Sequence, residues 1–257
     1  MNKRKIMLLA VSLCMVAILG FGSTLAYLTD EDHQVNTFTT GNVAIDLFED
    51  FGDNDETTLE KLLPVTYDAT GKRVDDNVIE KEVFVENTGS EPAFVRVHIA
   101  IPSILDNGDP SFDASANVLH FNFDSASTGE GKWDWSDATG SPYTGEWNYY
   151  ETSIGGEDYN VYVVTYETAL EKGDVTVAAM TQVYLDAKVS NSDITTIKDE
   201  LGEKWYIYVA AEGCQAQGFD DAHYALNTSF GDPTDTEYTS KIDWDAVSKG
   251  KAWVDND

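Results

Sequence analysis

The groups in this chain that could do chemistry are four histidines, two cysteines and 46 carboxylates, and their spacing decides what they can do. His33, His98, His120 and His223 are followed by Gln34, Ile99, Phe121 and Tyr224, so none opens the His-Glu-x-x-His helix of a zinc peptidase. No Gly-x-Ser-x-Gly elbow, Walker loop or dinucleotide fingerprint occurs either. His98 and His120 fall in strand-like runs that can lie on neighbouring strands, yet a strand histidine ordinarily ends as a satisfied surface or core residue. With so many carboxylates some pairs fall close by chance, and a glycosidase pair is defined by a measured separation that spacing does not supply. No catalytic residue is expected.

Asp53-Asn54-Asp55-Glu56 and Asp30-Glu31-Asp32 gather carboxylates in loops, a donor set that suits calcium. Neither has the Gly at the sixth position or the Glu at the twelfth of an EF-hand loop. Asp53 and Asp55 are therefore the calcium candidates, against the plainer reading of solvated acidic loops, and no other cofactor or metal is expected. Trp133-Asp134-Trp135, with Trp147, Tyr149 and Tyr150, has the composition of a carbohydrate-binding face. Alternating aromatic residues on strands more commonly pack a core or brace a loop.

The amino terminus is itself a substrate. Lys3, Arg4 and Lys5 form a basic region, residues 6–19 are an uncharged run of fourteen, and Thr24 and Ala26 supply small residues at −3 and −1 before Tyr27. That is a secretory signal peptide over residues 1–26, since an uncleaved membrane anchor needs about 20 apolar residues. Cys14 lies within the apolar run, but the bulky Leu13 before it argues against a lipoprotein box. Cys214 then stands alone, so no intrachain disulfide and no thiolate zinc site can form, and its apolar surroundings point to an inert buried thiol. Leu63-Pro64-Val65-Thr66 departs from a sortase signal at Tyr67, and the final residues, Lys251-Ala252-Trp253-Val254-Asp255-Asn256-Asp257, carry no apolar tail, so no permanent membrane anchor is expected.

Net charge is −30, and removal of three basic residues with the signal makes it −33. A chain so acidic does not bind nucleic acid or an anionic membrane through general electrostatics. Self-repulsion opposes close packing of copies until salt, divalent cations or acid weaken it. Thirteen Tyr, eleven Phe and six Trp nevertheless mark a folded chain rather than an acidic disordered one. One domain over residues 42–257 is expected, because no Pro- or Ser-rich linker interrupts it.

The elements that must position these residues are mostly strands. Val43, Ile45 and Leu47 alternate with Ala44, Asp46 and Phe48, after a break at Gly41 that suggests a bulge or bend. Residues 50–60 read as an acidic loop. Residues 78–86 read as a strand ending in the turn Asn87-Thr88-Gly89-Ser90, and residues 94–101 as a strand closed by Pro102. Residues 107–143 read as long loops with a strand or two. Residues 147–154 and 159–168 form a hairpin across Gly155-Gly156, and a turn at 170–174 leads into a long strand over 175–189. Asp193 caps a short helix that carries Ile194, Ile197 and Leu201 on one face and stops at Gly202. Residues 205–211 read as a strand and residues 219–226 as a second short helix. The pattern predicts an all-β fold, an antiparallel β-sandwich of jelly-roll type with short helical inserts.

Two segments resemble a known family. Gly22-Ser23-Thr24-Leu25-Ala26-Tyr27-Leu28-Thr29-Asp30 followed by Asn36-Thr37-Phe38-Thr39-Thr40-Gly41-Asn42-Val43-Ala44-Ile45 is similar to the TasA/camelysin family, as is Val85-Glu86-Asn87-Thr88-Gly89-Ser90-Glu91-Pro92-Ala93-Phe94-Val95-Arg96-Val97. More distant similarity lies at residues 170–175 and 210–219, so that about half the chain is covered. The resemblance implies export through a SipW-type signal peptidase of a Gram-positive cell, and a secreted jelly-roll subunit of biofilm matrix fibres. Its partners would be copies of itself or a related matrix protein. It also implies an N-terminal strand, within residues 27–41, that completes the sandwich of a neighbouring copy. Composition adds that residues 27–40 are expected to be poorly ordered in the monomer, since residues 29–36 hold few apolar side chains, with Leu28, Val35 and Phe38 as donor-strand anchors and Gly41 as hinge. Camelysin-type members are described as metallo-endopeptidases, an activity for which this sequence carries no motif. A carbohydrate-binding surface module is the other reading, requiring exposed, coplanar Trp133 and Trp135.

Overall fold

A computed structural model describes residues 29–32, 43–50, 64–70, 74, 77–106, 119–122, 133–134, 149–202 and 204–250. The protein is built mainly of antiparallel strands. The largest sheet runs in the order β1 (Thr29–Asp32), β11 (Tyr208–Gln215), β5 (Ala93–Pro102), β9 (Glu157–Tyr166), β7 (Trp133–Asp134), with β8 (Tyr149–Ile154) also on β9. Two smaller sheets pair β2 (Ile45–Asp50) with β4 (Glu82–Asn87), and place β10 (Gln182–Leu185) between β3 (Ile79–Glu80) and β6 (Leu119–Asn122). Among the described residues three α-helices follow in chain order, α1 (Asn191–Leu201), α2 (Ala222–Phe230) and α3 (Trp244–Gly250). Among the described residues no helix is long and apolar enough to cross a membrane.

One core draws on all three sheets. Ile45, Val83, Val85, Val183 and Leu185 of the smaller sheets meet Val95, Val97, Ile99, Ile101, Val164, Val209 and Ala211 of the large one. The large sheet is also covered on its other face. Trp244 and Val247 of α3 pack with Ala100, Val161, Tyr208 and Ala210, while Ala222, Ala225, Leu226 and Phe230 of α2 pack with Phe94 and Cys214. For that reason all ten residues of β5 are buried, including Arg96 and His98, which the alternation alone would place at a solvated face.

Local chemistry explains most element boundaries. Gly155 and Gly156, with φ of 64° and 99°, make the two-residue turn joining β8 to β9, as the Gly-Gly step predicts. At the turn after β4, Asn87 accepts from the Gly89 N–H and donates to the carbonyls of Glu91 and Leu170. Helix α1 is capped by Ser190 rather than Asp193. Asp193 is the third helical residue, and its carboxylate returns to the Ser190 N–H while Ser190 Oγ accepts from the Asp193 N–H, which completes a capping box.

The long strand expected over residues 175–189 is broken. Thr176 N–H bonds Val85 O, but the next such bond runs from Ala179 to Val83, three residues on one chain against two on the other. An extra residue of this kind is a bulge, and it confines the regular strand to β10. Asp186, whose carboxylate accepts from the Lys188 N–H, starts the turn that ends it. The expected strand at residues 205–211 lies about four residues later as β11, and the second helix starts at Ala222, after its Asp221 cap, rather than at Phe219. Helix α3 was not legible in the hydrophobic pattern; Asp243 caps it through the Ala246 N–H.

Candidate functional site

Strand β11 is paired on both edges. On one, all eight residues from Tyr208 to Gln215 pair with Ala100 to Ala93 of β5. On the other, among the described residues, Ala211 to Cys214 are paired by Asp32 to Thr29 of β1. Residues 29–32 of the amino-terminal segment, expected to be poorly ordered in the monomer, here form a strand on their own sheet. Main-chain hydrogen bonds suffice for this pairing, so the scarcity of apolar residues in the segment does not prevent it.

Taken by themselves, the four described residues of this strand are weakly held. A backbone hydrogen bond contributes a net of about 0.5–1.5 kcal/mol, while fixing each residue costs about 1–2 kcal/mol, so four residues come close to balance. In its register Asp30 pairs with Gly213, Glu31 with Glu212 and Asp32 with Ala211. Beside this edge the layers approach closely: a methyl group on Gly213 would lie 3.0 Å from Cγ2 of Ile45 in β2. Gly213 is thus required by the close packing of β11 on β2, where a larger side chain forces the two apart.

Behind the same edge lies a buried polar cluster. Arg96 Nε donates to Glu212 Oε2 at 2.6 Å, and His98 Nε2 lies 3.1 Å from the same oxygen. Arg96 Nη1 donates to Asn227 Oδ1 at 3.2 Å and to the Gly231 carbonyl at 3.0 Å, which ties α2 to the sheet. His98 Nδ1 is 3.2 Å from the Tyr150 hydroxyl, which accepts from Trp244 Nε1 at 3.3 Å. Arg96 Nη2 and Glu212 Oε1 are buried without a hydrogen-bond partner. Burial drives the His98 pKa below its ordinary value. Burial also opposes the charge of Glu212, but the His98 and Arg96 groups around it outweigh that and hold its carboxyl below the usual range. The Cys214 thiol on the same face is pushed up to about 11 by burial, which makes it a poor nucleophile.

The cleavage residues Thr24, Ala26 and Tyr27, the anchors Leu28, Val35 and Phe38, the hinge Gly41 and the calcium candidates Asp53 and Asp55 all lie outside the described residues. His98 and His120 are not on neighbouring strands: β5 lies between β11 and β9, while β6 pairs with β10 in another sheet. His223 instead pairs with Asp134 at 3.2 Å. Among the described residues no three His, Cys, Asp or Glu side chains gather as a metal site. Trp133 is wholly buried, donates to the Val177 carbonyl at 2.7 Å and meets Tyr166 edge-on, so its face is not available to a sugar. Trp135 and Trp147 lie outside the described residues.

Sequence reasoning missed the Arg96–Glu212–His98 cluster because Glu212 lies 116 positions from Arg96 and 114 from His98. A signal was present. Arg96, His98 and Glu212 each interrupt a run of small or branched apolar residues, which marks a charge destined for burial beside a partner. Compared with known proteins, the chain matches no protein-family model and no curated protein sequence.

Proposed function

We propose that the chain is the precursor of a secreted structural protein, a jelly-roll β-sandwich released by signal cleavage after Ala26, that assembles into extracellular matrix fibres of a Gram-positive cell by strand exchange. The carrying observation is the pairing along the outer edge of β11, where the described residues of the segment that follows the signal, Thr29 to Asp32, lie against Cys214 to Ala211. Taken by themselves, these residues come close to balance between hydrogen bonding and chain entropy, so replacing them with the same segment of a neighbouring copy requires little free energy. Such an exchange is head-to-tail and does not close on itself, so it gives filaments rather than dimers. The acidic charge keeps subunits apart until that exchange occurs. The resemblance of the signal junction and the 85–97 segment to the TasA/camelysin family supports the same reading.

The test is electron microscopy of the mature protein beside a form lacking residues 27–40. The mature protein is expected to form filaments, and the truncated form to keep its β-rich circular dichroism while remaining monomeric. Filaments from the truncated form would refute strand exchange, and globular particles from both under all salt and pH conditions would refute the structural role.

A further inference from the structure

The small sheet that pairs β2 with β4 sends Ile45, Val83 and Val85 into the shared core, and the residues between them fall on its other face. The register sets Asp46 beside Glu86 and Phe48 beside Phe84, and places Asp50 at the level of Glu82. A third segment extends this face past β4. Val175 bridges to Glu86, and the bulge between the bonds of Thr176 and Ala179 to β4 brings Val177 opposite Phe84. Phe48, Phe84 and Val177 therefore form an apolar row across three segments, with acidic positions on either side of it.

This row is open to solvent. Phe48 is 44% exposed, Val175 51% and Val177 37%, three of the seven large hydrophobic side chains exposed among the described residues. They form a patch rather than scattered single side chains, and a patch rimmed by polar residues marks an interaction surface. The nearby basic residues do not offset the rim. Lys81 is buried with its ammonium 2.6 Å from Glu49, and Lys172 stands in the turn beyond Asp174.

Two demands define what fits here. The apolar row gains from leaving water, whereas the carboxylates beside it lose hydration unless the partner brings positive charge to them. A second copy does not meet the second demand, because two chains of net charge −33 would set carboxylate against carboxylate. An anionic membrane surface fails for the same reason. Spacing supplies the rest. Same-face residues along a strand recur about every 7 Å, so an extended segment laid along β2 and β4 repeats the pitch of Asp46, Phe48 and Asp50. We propose that the outer face of β2 and β4 docks a basic, extended segment of a partner protein, in which an apolar side chain stands between two lysines or arginines at every second position. The inference uses none of the main-chain pairing at β11 and does not rest on strand exchange.

The probe is a fluorescent peptide that repeats Lys-Thr-Phe-Thr-Lys, beside a peptide of the same composition in scrambled order. Each is titrated into the full mature protein at neutral pH, with binding read by anisotropy. The alternating peptide is expected to bind more tightly than the scrambled one. Phe48→Ser should weaken it roughly three- to tenfold, the effect of losing part of one aromatic burial. Glu86→Gln should weaken it less, roughly twofold, and reduce its salt dependence. Phe48 lies outside the core, so an unchanged urea midpoint is expected for its variant. Equal binding of both peptides, or an alternating peptide indifferent to Phe48→Ser, would reduce the effect to general attraction of cations and overturn the proposal. The absence of binding at millimolar peptide would overturn it too. Self-association of the mature protein that Phe48→Ser abolishes would assign the face to a second copy instead, which also overturns it.

Discussion

The two faces of strand β5 are both buried, but different forces bury them. Val95, Val97, Ile99 and Ile101 enter the shared core against aliphatic side chains from the smaller sheets. One residue out of phase, Arg96 and His98 enter a polar cluster that holds Glu212, Asn227 and Tyr150, with two helices as its roof. The inner face follows from period-two hydrophobicity and needs only volume and shape. The outer face needs partners, because a charge withdrawn from water costs several kcal/mol unless it is matched. Changes that remove a partner should therefore damage the outer face out of proportion to the volume lost, and changes on the inner face should scale with volume.

Replacing Glu212 by Leu tests the outer face most severely. It strands the Arg96 guanidinium beside His98, and the expected loss is about 3–5 kcal/mol in urea unfolding. Adding Arg96→Met should recover most of that loss, since an apolar pair of similar volume relieves both desolvation penalties. A double variant as unstable as the single one would mean that the Arg96 bonds to Asn227 and Gly231, and not the ion pair, secure α2.

Acidification acts on the same face more gently. The folded pKa of His98 lies below its ordinary 6.5, so its contribution is fully present above about pH 6.5 and is lost as pH falls through the folded value. Glu212 is likewise lowered from 4.5, so its contribution persists to lower pH and disappears afterwards. Stability against urea should therefore begin to fall below about pH 6.5, and His98→Gln should flatten that first limb while leaving the second. A wild-type curve that is flat down to the carboxylate range would show that His98 is no less basic in the fold than in the open chain.

The same contrast explains what was legible in the sequence. The inner face was legible in the alternation of Val95, Val97 and Ile99, and the Gly155-Gly156 hairpin in its turn chemistry, because both signals are local. The outer face was not. Whether Arg96 points to solvent or to Glu212 depends on two helices far along the chain, and α3, at seven residues, is too short to show a helical period. Ser190 was passed over as a cap because Asp193, its partner in the capping box, stands closer to the apolar stripe. The bulge that shortens β10 leaves no trace in hydrophobicity, since Val177 and Ala178 fit either register.

The smallest effect tests the junction of the inner face with the β1 edge. Gly213 lies where β11 passes Ile45, and an added methyl would meet Cγ2 at 3.0 Å and Cδ1 at 3.2 Å. Gly213→Ala gains helpful chain stiffness but forces Ile45 aside, so a net loss of about 1 kcal/mol is expected. Ile45→Ala alone should cost about 2–5 kcal/mol, because it opens a cavity in the shared core. The double variant separates contact from coincidence. With Ile45 shortened, the new methyl enters vacated space, and the combined loss should be smaller than the sum of the two single losses. Strictly additive losses would mean that β11 shifts as a whole to relieve the contact. The β1 register would then shift with it, and the inner face would be less rigid at this edge than close packing requires.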